Sequence, residues 1–352
     1  MAAQVLRARL RTAGERVELT CAIPRIARVL AEGAAGQLTA RGPADNDAAG
    51  AADPPDVRVR IERGSAPFDT TGWRVLTRGA WCRPGQVIIQ DACSSGLDLL
   101  VTMTSPALDL LARWRPPVTG RAATLALRAR GRLLLRAVLL QYPALWRSQQ
   151  RGRAPLHASV CSTGPGGPTV LLAGPGGVGK STLVHGELVR GATATCDNLC
   201  VSDGRFTWGV VEPLRLPAGL GGKDGQRQRS TGRRMPYGRR EAPWPDRAEG
   251  MLPEQLIVLV RGGTGRPSVA SCHPDEAARY LSAGTFMAGE LRRYWGFAAT
   301  LALGTGLGVS HPPVQETAAA LSMGLPCLKV VLGDQPGAPL RELISSAAAL
   351  ET

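Results

Sequence analysis

The stretch TVLLAGPGGVGKST, residues 169–182, decides the fold class of the C-terminal half of this chain. It begins with TVLLA, an apolar run typical of a buried strand, and the pattern G-x-x-x-x-G-K-[ST] follows at residues 174–181. Glycines let the backbone curl so that successive N–H groups point at one anion, and the N-terminus of a following helix adds partial positive charge. The sequence therefore predicts a strand, a phosphate-binding loop and a helix in that order.

The predicted loop offers specific groups to a nucleoside triphosphate and Mg²⁺. The ammonium of Lys180, at the start of a helix predicted over residues 180–190, is expected to reach the β- and γ-phosphates. The hydroxyl of Ser181 is expected to ligate Mg²⁺, so ATP and Mg²⁺ are the expected ligands. The predicted nucleotide-binding residues are Gly174, Pro175, Gly176, Gly177, Val178, Gly179, Lys180, Ser181 and Thr182.

The rest of the chain departs from a common P-loop ATPase or GTPase. Such proteins carry a second strand ending in an aspartate that supports Mg²⁺, but the best apolar strand downstream, LIVLV at residues 256–260, ends in Arg-Gly-Gly. The guanine-reading motif N-K-x-D does not occur. An acid appears earlier instead, where the alternating ATATC predicts a strand that ends at Asp197. A carboxylate at this edge of the loop could accept the proton of an attacking hydroxyl.

An ordered set of motifs surrounds this loop. PLHAS is followed by a Gly-containing turn, then by VLLAGPGGVGKSTL, by RG and by CDNL, all within residues 151–201. This order resembles the HPr kinase/phosphorylase-like serine kinases, which show a histidine-bearing strand, a hairpin, the P-loop, then R-G and D-D. The resemblance implies a P-loop domain of the HPr-kinase type, preceded by a separate N-terminal domain.

The resemblance also implies roles for individual residues. His157 matches the family histidine near the phosphates, and Asp197 matches the first aspartate, which resembles the general base toward a seryl hydroxyl. Asn198 replaces the second aspartate, and an amide cannot carry charge or take a proton, which puts any reverse reaction in doubt. From the residues alone, His157 could equally be a satisfied strand histidine and Asp197 a turn residue at a strand end.

Two further assignments carry open alternatives. Because a downstream glutamate helps to hold Mg²⁺ in the family, Glu212 is a candidate metal ligand, and a surface carboxylate before a proline is the alternative. The basic segment KDGQRQRSTGRRMPYGRR, residues 223–240, is either a solvated loop or a loop that covers the substrate. In the second case, Arg233 or Arg234 would contact the transferring phosphate or an acidic peptide.

The chain is expected to contain two domains. Residues 1–150 predict a smaller, strand-rich α+β domain, and residues 151–352 predict the α/β P-loop domain. Helical spacing occurs at residues 23–35 and 121–146. Alternation or short apolar runs predict strands in the N-terminal part at residues 5–10, 16–21, 57–63, 73–77, 87–90 and 97–102. In the C-terminal part, LHASVCS at residues 156–162 predicts one strand through His157.

Composition limits the partners and the compartment. The net charge of +14 favours binding to nucleotides, acidic peptides or nucleic acid. The alternative explanation is a genome that favours arginine codons, which would give the same excess of positive charge. No RNA-binding signature or zinc-finger spacing accompanies the charge, so no nucleic acid partner is predicted. No apolar run reaches membrane-spanning length and no signal-peptide core is present, which predicts a cytoplasmic protein with no membrane partner. The eight scattered cysteines favour buried, reduced thiols.

These observations predict an ATP-dependent kinase that phosphorylates a Ser or Thr hydroxyl on a protein or peptide, including a ribosomally made peptide under modification. Two alternatives stay open: a nucleotide-binding regulatory or peptide-recognition protein without transfer activity, and a small-molecule kinase. Since HPr kinases assemble into oligomers, the resemblance also allows a homo-oligomer.

Overall fold

The computed structural model describes residues 5–40, 54–104, 107–116, 128–217, 239–245, 247–262, 265–333 and 339–348. These residues form two compact units. The first falls within Met1–Arg151 and Arg293–His311, and the second within Gly152–Arg292 and Pro312–Thr352. No motif predicted that residues 293–311 pack with the first unit rather than with the P-loop part of the chain.

The first unit is built on a nine-stranded mixed sheet with the order β3-β1-β2-β4-β9-β8-β7-β6-β5. Its strands are β1 (Leu6–Thr12), β2 (Glu15–Cys21), β3 (Thr39–Ala40), β4 (Val57–Arg63), β5 (Arg74–Thr77), β6 (Ala80–Arg83), β7 (Gln86–Ile89), β8 (Leu97–Thr104) and β9 (Ala107–Trp114). Its helical segments are α1 (Pro24–Gly33), a 3₁₀ turn (Ala92–Ser94), α2 (Arg128–Arg136), a π-helix (Ala137–Gln141) and α3 (Tyr142–Gln149).

Side-chain alternation explains the strands of this sheet. In β4, Val57, Val59 and Ile61 are buried, whereas Arg58 and Arg60 are exposed, so every second residue faces the core. β4 is parallel to both of its neighbours, β2 and β9, while the other neighbouring strands are antiparallel. The strands predicted from alternation and the helix predicted at residues 23–35 are confirmed.

The second unit contains sheets of six, four and two strands. Its strands are β10 (Ala154–Leu156), β11 (Ser159–Ser162), β12 (Thr169–Ala173), β13 (Ala194–Cys196), β14 (Cys200–Ser202), β15 (Thr207–Gly209), β16 (Leu214–Pro217), β17 (Arg239–Ala242), β18 (Gly250–Met251), β19 (Gln255–Arg261), β20 (Ser268–Ser271) and β21 (Cys327–Leu332). Its helices are α4 (Lys180–Val189), α5 (Pro274–Phe286), α7 (Val314–Gly324) and α8 (Leu340–Ala348). Helix α6 (Arg292–Thr305) lies almost entirely in the first unit.

The P-loop strand lies inside the six-stranded sheet, whose order is β13-β11-β12-β19-β21-β20. All residues of β12 are buried, as its apolar run predicted. β12 is antiparallel to β11 and parallel to β19, and β19 is parallel to β21. Both units combine helices with mixed sheets, so the chain is an α/β protein. In the part of the chain that the structure describes, every helix is too short or too polar to cross a bilayer.

Candidate functional site

The phosphate-binding loop has the predicted order of strand, loop and helix: β12 ends at Ala173 and α4 begins at Lys180. Gly174, Gly177 and Gly179 have φ values of 145°, 82° and 127°, which side chains of L-residues disfavour. A Cβ atom at Gly174 would lie 2.6 Å from the main-chain oxygen of Leu259 in β19, whereas one at Gly176 would have no heavy atom within 4 Å. The loop is therefore seated against the sheet at its base and open at its tip.

This contrast gives a test of the loop geometry. We expect Gly174→Ala to destabilise the protein by about 1–3 kcal/mol, because it combines a steric contact with a backbone conformation that alanine rarely adopts. Gly176→Ala is the matched control and should shift the midpoint of thermal unfolding by much less. Equal midpoints for the two variants would contradict the loop conformation described above.

Lys180 is buried inside the loop, with 5% of its surface exposed. Its Nζ atom donates hydrogen bonds to the main-chain oxygens of Gly174 at 2.7 Å and Pro175 at 3.2 Å. The ammonium is thus held by the loop itself, at the place where the sequence motif expects it.

Asp197 lies in the turn between β13 and β14, and it is 1% exposed. Its main-chain oxygen accepts hydrogen bonds from the hydroxyls of Ser159 at 2.7 Å and Ser181 at 3.3 Å. Its carboxylate oxygen Oδ2 accepts the main-chain N–H of Arg215 at 3.1 Å. The predicted base is therefore tied directly to the first turn of the P-loop helix.

His157 does not lie on a strand, contrary to the prediction that LHASVCS forms one strand. The stretch divides into β10, which pairs with β14, and β11, which pairs with β12, and His157 occupies the break between them. Its main-chain N–H donates to Thr285 Oγ1 at 3.0 Å, and its Nδ1 atom lies 3.2 Å from the main-chain oxygen of Gly284. β10 ends before His157, because the main-chain N–H of His157 bonds to Thr285 at the end of α5 instead of to a neighbouring strand.

Glu212, the candidate metal ligand, is buried rather than on the surface, with 3% of its area exposed. Its main-chain oxygen accepts the indole N–H of Trp244 at 2.7 Å, and its carboxylate oxygen Oε2 accepts from Arg215 at 2.5 Å. The other oxygen, Oε1, is buried and makes no hydrogen bond of good geometry within the described residues. The alternative of an exposed carboxylate before a proline is wrong.

Arg215 is the centre of the charged groups in this site. Its guanidinium, with 11% of the side chain exposed, forms salt bridges with Glu212 and with Glu290. Burial lowers the pKa of Arg215, but the charges of Glu212, Glu290 and Asp197 outweigh burial and raise the pKa above its usual value. Arg215 therefore stays protonated and joins three acidic residues that are far apart in sequence.

The neighbouring titratable groups respond to burial and to one another. Burial raises the pKa of Glu212 to about 7, although Arg215 opposes the shift. Burial alone would raise the pKa of Glu290, but the charge and hydrogen bond of Arg215 bring it down to about 2. Burial and the charge of Lys180 lower the pKa of His157 to about 4, so its ring is neutral at pH 7. The side chain of Asn198 favours the charged forms of both His157 and Glu212, which places it between them.

The donor set fits Mg²⁺. This ion prefers oxygen ligands and is usually held by one or two carboxylates together with substrate phosphates and water. Ser181 and Glu212 offer a hydroxyl and a carboxylate, and Glu212 Oε1 is buried without a hydrogen bond of good geometry among the described residues. Among the described residues, no group of three or more His, Cys, Asp or Glu side chains is arranged to hold an ion by itself.

The strand next to the P-loop strand supplies no acid, in agreement with its sequence. β19 lies beside β12 and ends at Arg261. The carboxylates come instead from the turn after β13 and from the segment before β16. The candidates Arg233 and Arg234 lie outside the described residues, which resume at β17.

Two charged residues of the site were not predicted from the sequence. Arg215 had a local signal, because it follows Glu212 by only three positions. Glu290 had none, since it is separated from Arg215 by 75 positions. A scan against protein-family models and a search of curated proteins both returned no match for this chain. The fold and the site thus define an α/β protein with a P-loop and an adjacent cluster of carboxylates.

Proposed function

We propose that this protein is an ATP- and Mg²⁺-dependent phosphotransferase of the HPr-kinase-like type, which transfers the γ-phosphoryl group to a Ser or Thr hydroxyl of a protein or peptide. The observation that carries the proposal is the position of Asp197. Its main-chain oxygen bonds to the hydroxyl of Ser181 in the P-loop helix, and its carboxylate is oriented by the N–H of Arg215. A base fixed beside a phosphate-binding loop is what hydroxyl phosphorylation requires.

The proposed step uses groups that the chain already holds in place. Asp197 accepts the proton of the acceptor hydroxyl while the oxygen of that hydroxyl forms a bond to the γ-phosphorus. The bond between the γ-phosphorus and the oxygen that bridges it to the β-phosphorus breaks at the same time, and ADP is released. Lys180 and the loop N–H groups bind the β- and γ-phosphate oxygens and stabilise their charge. In the nucleotide complex, Lys180 therefore exchanges its bonds to Gly174 and Pro175 for bonds to phosphate.

Ser181 and Glu212 are the residues proposed to hold Mg²⁺. When bound, the ion would supply positive charge that offsets the negative charge developing during transfer. Glu212 is suited to a cation because Oε1 is buried without a good hydrogen bond, and a second positive charge beside Arg215 would favour its ionised form.

Asn198 motivates a second candidate, a nucleotide-binding regulatory protein without transfer activity. Its amide lies between His157 and Glu212 and cannot accept a proton. In the kinase proposal, Asp197 alone provides the base and Asn198 orients its neighbours, so transfer proceeds in the forward direction.

The test is a transfer assay with γ-labelled ATP, Mg²⁺ and either a lysate of the source cells or peptides encoded beside the gene. We expect label on a Ser or Thr of a protein or peptide, and we expect none with Asp197→Ala. Label on a metabolite alone would favour a small-molecule kinase. ATP binding without transfer to any acceptor, unchanged by Asp197→Ala, would overturn the proposal in favour of the regulatory protein.

A further inference from the structure

We propose that Glu290 is a positioning residue for phosphoryl transfer, acting through Arg215 on Asp197 and Glu212. This inference rests on the proposed function. Glu290 lies outside residues 151–201, which carry the motifs of the family resemblance, and no sequence motif marks it.

Arg215 contacts both carboxylates that the reaction needs. Its main-chain N–H donates to Asp197 Oδ2 at 3.1 Å, and its Nη2 atom donates to Glu212 Oε2 at 2.5 Å. Residue 215 therefore sets the distance and orientation between the proposed base and the proposed metal ligand. A displacement of the main chain at this residue would disturb both contacts, whereas a turn of the side chain alone would disturb the contact with Glu212.

Glu290 provides the second anchor of the guanidinium. Nη1 of Arg215 bonds to Glu290 Oε1, on a different nitrogen from the one that binds Glu212. A planar guanidinium held by carboxylates at two nitrogens has a fixed plane, whereas one held at a single nitrogen can turn about that contact. Glu290 adds to this fixation because Arg215 lies on β16, which pairs with β17 in a two-stranded ribbon, and such a ribbon is weak by itself.

The position of Glu290 is itself tightly determined. The end of α5 binds His157 through Gly284 and Thr285, and a Cβ atom at Gly284 would lie 3.4 Å from the main-chain oxygen of Gly174. Glu290 follows this contact by a few residues, and Leu291 beside it is fully buried. The segment from Gly284 to Glu290 thus supports the P-loop, the histidine and the arginine from one side.

The experiment compares Glu290→Gln and Glu290→Asp with wild type in steady-state transfer. For Glu290→Gln we expect kcat to fall about 10-fold to 100-fold while the KM for ATP changes little, because outer partners orient the reacting groups without touching nucleotide. Glu290→Asp keeps the charge and should recover part of the loss. Glu276→Gln is the control, since it removes an ion pair with Lys329 in the same unit and the side chain of Glu276 is about as exposed as that of Glu290.

Two further measurements separate positioning from a general structural role. In an Arg215→Ala background, adding Glu290→Gln should cause no further loss of kcat, because the effect passes through Arg215. Hydrogen exchange of the Arg215 amide, which is bonded to Asp197, should be faster in Glu290→Gln than in wild type, with or without an acceptor.

These measurements distinguish the two proposals. Absence of transfer by the wild-type protein would refute the proposed function, and the exchange of the Arg215 amide would still test the link to Glu290. An unchanged kcat together with unchanged exchange in Glu290→Gln would overturn the inference. If Glu290→Gln lowered kcat equally in the wild-type and Arg215→Ala proteins, the inference would also be overturned, because Glu290 would then act without Arg215.

Discussion

Asp197→Asn is expected to lower kcat for phosphoryl transfer by about 10²-fold to 10⁴-fold, the usual contribution of a positioned general base. The substitution keeps the shape of the side chain and an oxygen that can accept the N–H of Arg215. It removes the ability to take a proton from the acceptor hydroxyl, together with the negative charge that Asp197 places near Arg215. Because Asp197 contacts the P-loop helix through its main chain, we expect ATP affinity to remain close to that of wild type.

The matched control for this prediction is Asp203→Asn. Asp203 is exposed in the turn after β14, where its Oδ1 atom accepts the N–H groups of Arg205 and Phe206. It should leave kcat within about 2-fold of wild type, as surface changes usually do. Wild-type transfer by Asp197→Asn would contradict the role of Asp197 as the base. Loss of ATP binding in that variant would instead indicate that Asp197 supports the loop.

Lys180→Met is expected to cause the second large loss. Methionine keeps an apolar stem of similar length but lacks the ammonium that would bind the β- and γ-phosphates. We expect kcat to fall about 10²-fold to 10³-fold, the effect of removing one preorganised donor from a transition state, and the affinity for ATP to fall as well. Transfer assays and equilibrium binding of a fluorescent ATP analogue would measure the two effects.

Lys180→Arg provides a sharper version of the same test. It retains positive charge, but a guanidinium is larger and planar, and Lys180 is 5% exposed and held 2.7 Å from the oxygen of Gly174. We therefore expect little recovery of transfer. Lys329→Met serves as the control, because Lys329 on β21 pairs with Glu276 on α5 and this ion pair includes no residue of the loop. Normal ATP binding and transfer by Lys180→Met would show that the loop is not the nucleotide site.

Much of the local structure around the P-loop was predictable from sequence. The strand over residues 169–173, the helix from Lys180 and the strand that leads to Asp197 were predicted at the positions where they occur. These features depend on neighbouring residues: an apolar run, glycines that adopt positive φ and a helix that begins where the glycines end. The same reasoning predicted that β19 would bring no acid to the loop.

Other features of the candidate site depended on contacts between distant parts of the chain. Sequence periodicity predicted one strand through His157, but the contacts of this residue with Gly284 and Thr285 divide the strand in two. Glu212 was ambiguous in sequence, and its burial beside Arg215 was decided by the packing of Trp244 and β16. No local sequence pattern predicted that residues 293–311 belong to the first unit.

The sequence by itself determined the conformation of the glycine-rich loop, because that structure follows from the backbone freedom of its glycines and from the order of strand and helix. Only the tertiary structure decided which charged groups stand beside it. Ion pairs such as the one between Arg215 and Glu290 join residues 75 positions apart, and their energies depend on burial and distance rather than on any repeating pattern. The loop and the candidate Asp197 could therefore be predicted from the sequence, whereas the burial of Glu212 and the contacts of Arg215 and Glu290 were found only in the folded chain.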